Sequence, residues 1–351
     1  MMAQAADPAP AVRLDVRVIP ASGDPELAAE LRAHAGKRAG SVAVAVVEVG
    51  TAPRIRTAFL GADAGTRFEI GSVTKGLTGM LLADAIERGE LSLATEVGAI
   101  VPRCAGTAFG SVSARELCTH TSGLPRVERG ARAQMRMSLR VVLGLDPYRG
   151  RLGPDVIAAA EHGGLRSRGR YEYSNLGAAV LGQLLAVAAD TDYPALLRER
   201  ILLPAGMIAS AVGTRHDTAP RGRPSFGRRP QPWIMDGYAP AGAVVSTITD
   251  MGRLAVSLLD GSAPGCRSLR AIDGVETDRP NRASGMFWII DAIPNSDRTI
   301  IWHNGQTGGH SAFFALFPHA NRAVVVLANV ARAADQERIA LALARCGAGS
   351  V

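Results

Sequence analysis

The segment Ser72-Val73-Thr74-Lys75 places a hydroxyl and an amine three positions apart in the chain. At the start of a helix, residues with this spacing lie on one face, so the two groups can meet. A serine hydroxyl becomes a strong nucleophile when a base takes its proton, and a lysine can be that base if burial and nearby positive charge lower its pKa. Lys37 and Lys75 are the only lysines in the sequence, which makes a chance match uncommon. A nucleophilic Ser72 is therefore the first hypothesis, and a surface lysine early in a helix is the alternative.

A second polar cluster, Tyr171-Glu172-Tyr173-Ser174-Asn175, directly precedes a helical pattern. The Tyr173 phenol could relay protons to and from a leaving group if a nearby lysine ammonium makes it more acidic. The Asn175 carboxamide both donates and accepts hydrogen bonds, which suits it to hold a substrate amide or to orient the lysine. The structural alternative is that Asn175 caps the helix and Tyr173 packs in the interior.

A third candidate, Trp302-His303-Asn304-Gly305-Gln306, ends a predicted strand. His303 would place a hydrogen-bond donor beside the pocket, and Gly305 on an edge strand would let a substrate backbone approach closely. Backbone N–H groups near Gly305, that of Gln306 in particular, could form an oxyanion hole with the N–H of Ser72. A lone histidine at a strand end is more often structural, and that alternative stays open.

Hydrophobic periodicity predicts strands near both ends of the chain and helices in the middle. The predicted strands are residues 41–49, 54–61, 286–291, 299–303, 312–317 and 323–328. The predicted helices are residues 72–88, 176–189, 193–203, 249–259 and 332–345, with Thr249 or Asp250 near the N-cap of the fourth. Such an order indicates an α/β (α+β) fold, in which both chain ends build one mostly antiparallel sheet and a mainly helical domain is inserted.

These elements predict the domain organisation and the place of the site. We expect a flexible leader at residues 1–25 and one catalytic domain at 26–345. Within it, a sheet subdomain would comprise about residues 26–75 and 270–345, and a helical subdomain about residues 76–269. A catalytic cleft would lie where the two parts meet.

The composition excludes several classes of protein. The chain has 351 residues and is 47% hydrophobic, but no apolar stretch reaches the roughly 18 residues that a membrane span needs. The net charge of +7 is carried almost wholly by arginine, and the densest basic stretch, residues 221–229, lies among glycines and prolines, which predicts a surface loop and no nucleic-acid binding. The four cysteines lack metal-binding spacing, so we predict no metal and no cofactor; the oligomeric state stays open.

The N-terminal residues bear on localisation. Ala3-Gln4-Ala5 matches the small-residue cleavage signature of exported proteins, although the charged and apolar regions of a signal peptide do not precede it. We therefore expect a periplasmic or secreted protein, with the cytoplasm as the alternative.

The order Ser-x-x-Lys, Tyr-x-Asn, His-x-Gly resembles the β-lactamase-related serine hydrolases. These include class C β-lactamases, penicillin-binding proteins, D-alanyl-D-alanine carboxypeptidases, D-aminopeptidases and esterases. Other segments that are similar to family motifs are Phe68–Lys75, His120–Pro125, Leu203–Met207 and Ala241–Met251. The resemblance covers about residues 40–330 and implies a β-lactamase/transpeptidase-like fold.

The resemblance also implies roles for the candidate residues. Ser72 would be the acylated nucleophile, and Lys75 and Tyr173 would share the general-base and proton-return roles. Asn175 would hold the substrate amide or the lysine. His303 and Gly305 would occupy the place where many members have Lys-Thr-Gly.

The sequence departs from the family at that last motif. A lysine there offers a permanent cation to the carboxylate of a penicillin or of D-Ala-D-Ala, whereas a histidine is cationic only below its pKa. The departure weakens the expectation of β-lactamase activity and leaves ester or peptide hydrolysis open. Our leading hypothesis is an acyl-enzyme hydrolase acting on an amide, β-lactam or ester carbonyl of a small-molecule or peptidoglycan-derived substrate. The alternative is a penicillin-binding or wall-fragment-sensing module with little or no turnover.

Overall fold

The computed structural model describes residues 20–35, 40–213, 222–225 and 227–345 of the chain. Within these ranges the strands are β1 (Ala21–Gly23), β2 (Val42–Val49), β3 (Pro53–Leu60), β4 (Arg67–Glu69), β5 (Ala211–Val212), β6 (Val244–Thr247), β7 (Arg282–Ser284), β8 (Ile289–Ala292), β9 (Thr299–Gln306), β10 (Ser311–Phe317) and β11 (Arg322–Ala328). The α-helices are α1 (Pro25–His34), α2 (Thr74–Glu87), α3 (Val97–Ile100), α4 (Ala114–Cys118), α5 (Ala131–Val142), α6 (Gly153–Gly163), α7 (Asn175–Ala188), α8 (Tyr193–Leu197), α9 (Ala239–Gly242), α10 (Ile248–Leu259) and α11 (Ala333–Leu343).

One large antiparallel sheet is built from both ends of the chain. Its strand order is β1-β3-β2-β11-β10-β9-β8-β7, so β2 from the N-terminal part pairs with β11 from the C-terminal part. This arrangement confirms the predicted fold class.

Each central strand buries both of its faces, which explains why β2 reads Val-Ala-Val-Ala-Val-Val. Successive side chains of a strand point to opposite faces. Val42, Val44 and Val46 pack in a core with α1 and α11, and the side chains between them pack in a second core with α2 and α10. The sheet is therefore a middle layer with helices on both sides. Helix α10 contacts β2 and β11, although it lies in the range expected for the helical subdomain.

A small second sheet leads the chain into the cleft. It has the order β4-β6-β5, and both of its pairings are antiparallel. Strand β4 is followed by a single 3-10 turn, Gly71–Val73, and then directly by α2. Strand β9 of the large sheet contacts this turn, so the end of β9 and the start of α2 form one corner of the molecule.

The prediction of a flexible leader at residues 1–25 is wrong in part. Ala21–Gly23 forms β1 and pairs with β3, and Arg56 of β3 holds the start of α1 through an ion pair with Glu26 at 2.7 Å. Residues 1–19, which include the export signature, lie outside the described residues.

Three predicted boundaries also differ from the structure. The strand predicted at 286–291 begins only at Ile289, because Phe287 has a φ of +65° and turns the backbone. The helix predicted at 249–259 is capped by Thr247, whose hydroxyl accepts the N–H of Asp250, and not by Thr249 or Asp250. The helix predicted at 193–203 is α8 followed by a π-helical turn, Arg198–Leu202.

No helix in the described part of the chain is long and apolar enough to span a bilayer.

Candidate active site

Ser72 lies in the 3-10 turn between β4 and α2, rather than in the helix itself. Gly71 has a φ of +53°, and a Cβ at this position would lie 2.6 Å from the backbone nitrogen of Gln306. A Cβ on Gly305 would lie 1.9 Å from the carbonyl oxygen of Ile70 and 2.9 Å from the nitrogen of Ser72. The two glycines therefore let β9 and the nucleophile turn pack backbone against backbone.

This packing corrects the interpretation of Gly305. Strand β8 pairs with β9 only from Thr299 to Trp302, so at Gly305 strand β9 is paired with β10 alone. The space beside the Gly305 Cα is filled by Ile70 of the same chain and not by a substrate. Gly305 acts by positioning the backbone around Ser72.

Lys75 is completely buried and points at the serine. Its Nζ lies 3.0 Å from the Ser72 Oγ and donates to the carbonyl oxygen of Ala241 at 2.6 Å. Burial, and after it the positive charge of Arg126, holds the pKa of Lys75 well below its ordinary value. The amine is therefore suited to accept the proton of the Ser72 hydroxyl.

Tyr173 also hydrogen-bonds Ser72, but with a different protonation from the one expected. Burial raises the pKa of the Tyr173 phenol, and the hydrogen bond to Ser72 opposes this effect only in part. The Lys75 Nζ lies 5.0 Å from the centre of the ring, but it is not among the groups that lower the pKa of this phenol. The expectation of an acidified phenol is wrong, because the raised pKa keeps the proton on Tyr173.

The loop at His120–Pro125 holds the segment that carries Tyr173. Glu172 donates its N–H to the carbonyl oxygen of His120 at 2.8 Å, and Ser174 donates its N–H to the His120 Nδ1 at 3.2 Å. The His120 and Tyr173 rings lie 4.6 Å apart, and burial lowers the pKa of this histidine. His120 is thus a neutral support for the tyrosine, as a structural loop would require.

Asn175 is the first residue of α7, but it is not the cap. Ser174 caps this helix, because its hydroxyl accepts the N–H of Gly177 at 2.8 Å. The Asn175 amide nitrogen donates to the Tyr148 hydroxyl at 3.0 Å, and its Oδ1 is buried without a hydrogen-bond partner. Asn175 lines the pocket, and it does not contact Lys75, whose hydrogen bonds are to Ser72 and Ala241.

Gln306 brings a second backbone N–H to the serine. Thr307 donates to the carbonyl oxygen of His310 at 2.9 Å and closes the β9–β10 hairpin. Hydrogen-bonded and non-hydrogen-bonded pairs alternate along an antiparallel ladder, so the adjacent pair of Gln306 and Ser311 is non-hydrogen-bonded. The Gln306 N–H hence points away from β10 toward the Gly71–Val73 turn, where it can act together with the N–H of Ser72.

His303 does not reach the pocket that Ser72 lines. It is buried among His120, Tyr171 and Tyr173 in a separate small cavity, and its Nδ1 lies 2.6 Å from the carbonyl oxygen of Asn304. Burial, followed by the effect of Lys75, lowers the pKa of His303 to about 3. This ring is neutral, so the expectation of a cation is wrong, and the role of His303 as a donor to the substrate stays a prediction.

The Ser72 pocket has a volume of about 300 Å³. Its lining residues are Ser72, Arg126, Tyr148, Asn175, Trp233, Met235, Ala241, Gly242, Gln306 and Thr307. The sequence analysis missed Arg126, although it directly follows the His120–Pro125 segment, and no local signal distinguished Tyr148 or Trp233. Among the described residues, no group of histidines, cysteines or carboxylates could hold a metal ion.

Comparisons with known proteins identify the family and support the fold. The model of the family described as "Beta-lactamase" matches residues 27–347. A class C beta-lactamase structure superposes with a TM-score of 0.73 at 19% identity, covering 89% of this chain and 92% of that one. A D-alanine carboxypeptidase AmpC from Burkholderia cenocepacia superposes with a TM-score of 0.68 at 23% identity, covering 91% and 96%.

A curated relative, "Putative beta-lactamase-like 1" from Homo sapiens, is 28% identical over 227 residues, which are 61% of this chain and 42% of the relative. The chain spans less than half the length of several curated relatives that it matches.

Proposed function

The chain belongs to the beta-lactamase family of serine hydrolases, and on this basis we propose that it cleaves carboxylic esters through an acyl-enzyme on Ser72. The observation that carries the proposal is the 3.0 Å contact between the Ser72 Oγ and the buried Lys75 Nζ, at the wall of an open pocket. Burial lowers the pKa of a lysine, and a lysine with a lowered pKa can take the proton of a serine hydroxyl.

In the proposed reaction, Lys75 takes the proton of the Ser72 hydroxyl while the oxygen attacks the substrate carbonyl. The N–H groups of Ser72 and Gln306 stabilise the oxyanion of the tetrahedral intermediate. Tyr173 passes a proton to the leaving group and regains one from Lys75, so the alcohol leaves and the acyl ester of Ser72 remains. A water molecule then attacks this ester while Lys75 takes one of its protons, and Lys75 returns that proton to the Ser72 oxygen as the carboxylic acid is released.

Esters are the substrates that this site supports best. The recognition of a penicillin carboxylate by a cation on β9 is missing, since His303 is neutral and buried. We therefore place a small-molecule ester first and a peptidoglycan-derived D-alanyl peptide or a β-lactam second. A periplasmic or secreted location, with the cytoplasm as the alternative, belongs to the same proposal.

The test is a small substrate panel on wild type and Ser72→Ala. We expect hydrolysis of p-nitrophenyl hexanoate by the wild type, a fluorophosphonate adduct on Ser72 by mass spectrometry, and the loss of both in Ser72→Ala. Ser262→Ala removes an equally small hydroxyl from an exposed serine and is the matched control.

The outcomes separate the alternatives. Faster turnover of a chromogenic cephalosporin, or release of D-alanine from a muramyl peptide, would replace the esterase proposal by a lactamase or a carboxypeptidase. An adduct on Ser72 with no turnover of any substrate would mark a penicillin-binding or sensing module. No adduct at all would refute the nucleophile.

A further inference from the structure

Arg126 lies in a loop at the wall of the Ser72 pocket that is formed by the start of α7, and its backbone is anchored there. Its carbonyl oxygen accepts the N–H groups of Asn175 at 3.0 Å and Leu176 at 3.2 Å, which ties it to the first turn of α7. Its guanidinium carbon lies 5.3 Å from the centre of the Tyr173 ring, and the side chain lines the same pocket as Ser72. The backbone is thus anchored while the charged end reaches the reaction site.

No described carboxylate neutralises the charge of Arg126. Of the described residues that line the pocket, Arg126 alone carries a formal charge, and no described carboxylate lies within ion-pair distance of it. The nearest acidic residue in sequence, Glu128, pairs with Arg151 at 2.5 Å. Asp146 instead accepts the N–H groups of Ile234 and Met235, at 3.0 and 2.8 Å. The nearby carboxylates therefore have partners elsewhere.

The opposite wall of the pocket offers no cation. Strand β9 contributes Gln306, and Thr307 follows it, both of which are uncharged. His303 on the same strand is buried outside this pocket. Among the described residues that line the pocket, a substrate anion therefore meets positive charge only at Arg126.

We propose that Arg126 binds a carboxylate carried by the substrate, so that the enzyme selects anionic esters over neutral ones; the inference rests on the proposed ester hydrolysis. The planar guanidinium can offer two parallel N–H donors to a carboxylate, which a lysine cannot do. The carboxylate can belong to the acyl part or to the leaving group.

The test uses two matched pairs of chromogenic esters. Mono-p-nitrophenyl adipate carries a carboxylate on the acyl part, and p-nitrophenyl hexanoate is its neutral partner. The ester 4-nitro-3-(hexanoyloxy)benzoate carries a carboxylate on the leaving group, and o-nitrophenyl hexanoate is its neutral partner. The ratio of kcat/KM within each pair measures anion selectivity and cancels any effect of a mutation on the chemical step that both esters share.

We expect one of the two ratios to favour the anion by about 10-fold or more in the wild type, as for a hydrogen bond to a charged group. Arg126→Gln should bring that ratio close to the value of the uncatalysed reaction, and Arg126→Lys should restore only part of it. Arg132→Gln removes an equal charge from an exposed position on α5 and should leave the ratio unchanged. The selectivity should also fall as salt is added.

The failures of the two proposals are distinguishable. Hydrolysis of all four esters without anion selectivity, or a selectivity that survives in Arg126→Gln, would overturn the role of Arg126 and leave the hydrolase standing. No hydrolysis of any ester, together with no fluorophosphonate adduct on Ser72, would overturn both.

Discussion

Replacing Gly305 by alanine tests whether backbone packing positions the oxyanion hole. The new Cβ would lie 1.9 Å from the carbonyl oxygen of Ile70, whereas ordinary contacts begin at 3.4 Å. Relief of this overlap requires a movement of about 1.5 Å between β9 and the nucleophile turn. Misplacement of reacting groups by about 1 Å can lower a rate by about 100-fold, and loss of one oxyanion donor costs about 100- to 1,000-fold. We therefore expect kcat/KM for p-nitrophenyl hexanoate to fall by about 100-fold or more.

The assay must separate this effect from unfolding. Circular dichroism and thermal unfolding should show a folded Gly305→Ala protein that is destabilised by about 1 to 3 kcal/mol, as for an overpacked core. Gly50→Ala, on the turn between β2 and β3 with no atom near its added Cβ, is the matched control and should keep full activity. A folded Gly305→Ala enzyme with kcat/KM within about threefold of the wild type would refute the reasoning.

Three further predictions follow from the protonation of the site. Tyr173→Phe keeps the ring but removes the proposed proton donor to the leaving group, so kcat should fall by about 100-fold or more without loss of folding, as measured with the same ester. Because the pKa of Lys75 is lowered, kcat/KM should already be high at neutral pH. Arg126→Gln removes a cation and so raises the pKa of Lys75. This variant should therefore move the rise of the pH–rate profile to higher pH. A profile that moves to lower pH would contradict this sign. His303 is buried and neutral, with its pKa lowered from 6.5 to about 3, so it stabilises the fold above pH 6.5 and this contribution is lost as the pH falls toward 3. In His303→Gln, the free energy of unfolding measured in urea should therefore depend less on pH between 7 and 4. An unchanged dependence would exclude the histidine as its source.

Local patterns predicted the large elements well. The alternation in β2 and the apolar runs of β10 and β11 are typical of strands buried on both faces, and they form the centre of the sheet. The short strand β1 has no such pattern, since Ala21–Gly23 is stabilised by its pairing with β3 rather than by its own residues. The start of β8 was misplaced for a similar reason, because the positive φ of Phe287 is set by its surroundings.

The sequence by itself determined which groups are candidates for the chemistry. Ser72 and Lys75 are three residues apart, and Tyr173 and Asn175 share one turn, so their proximity within each pair is a local property of the backbone. The tertiary structure alone decided how these groups are charged and what surrounds them. Burial lowers the pKa of Lys75 and keeps His303 neutral, and the packing of a distant loop brings Arg126 to the pocket. A pKa depends on solvent exclusion and on charges brought together across the chain, which no short segment contains.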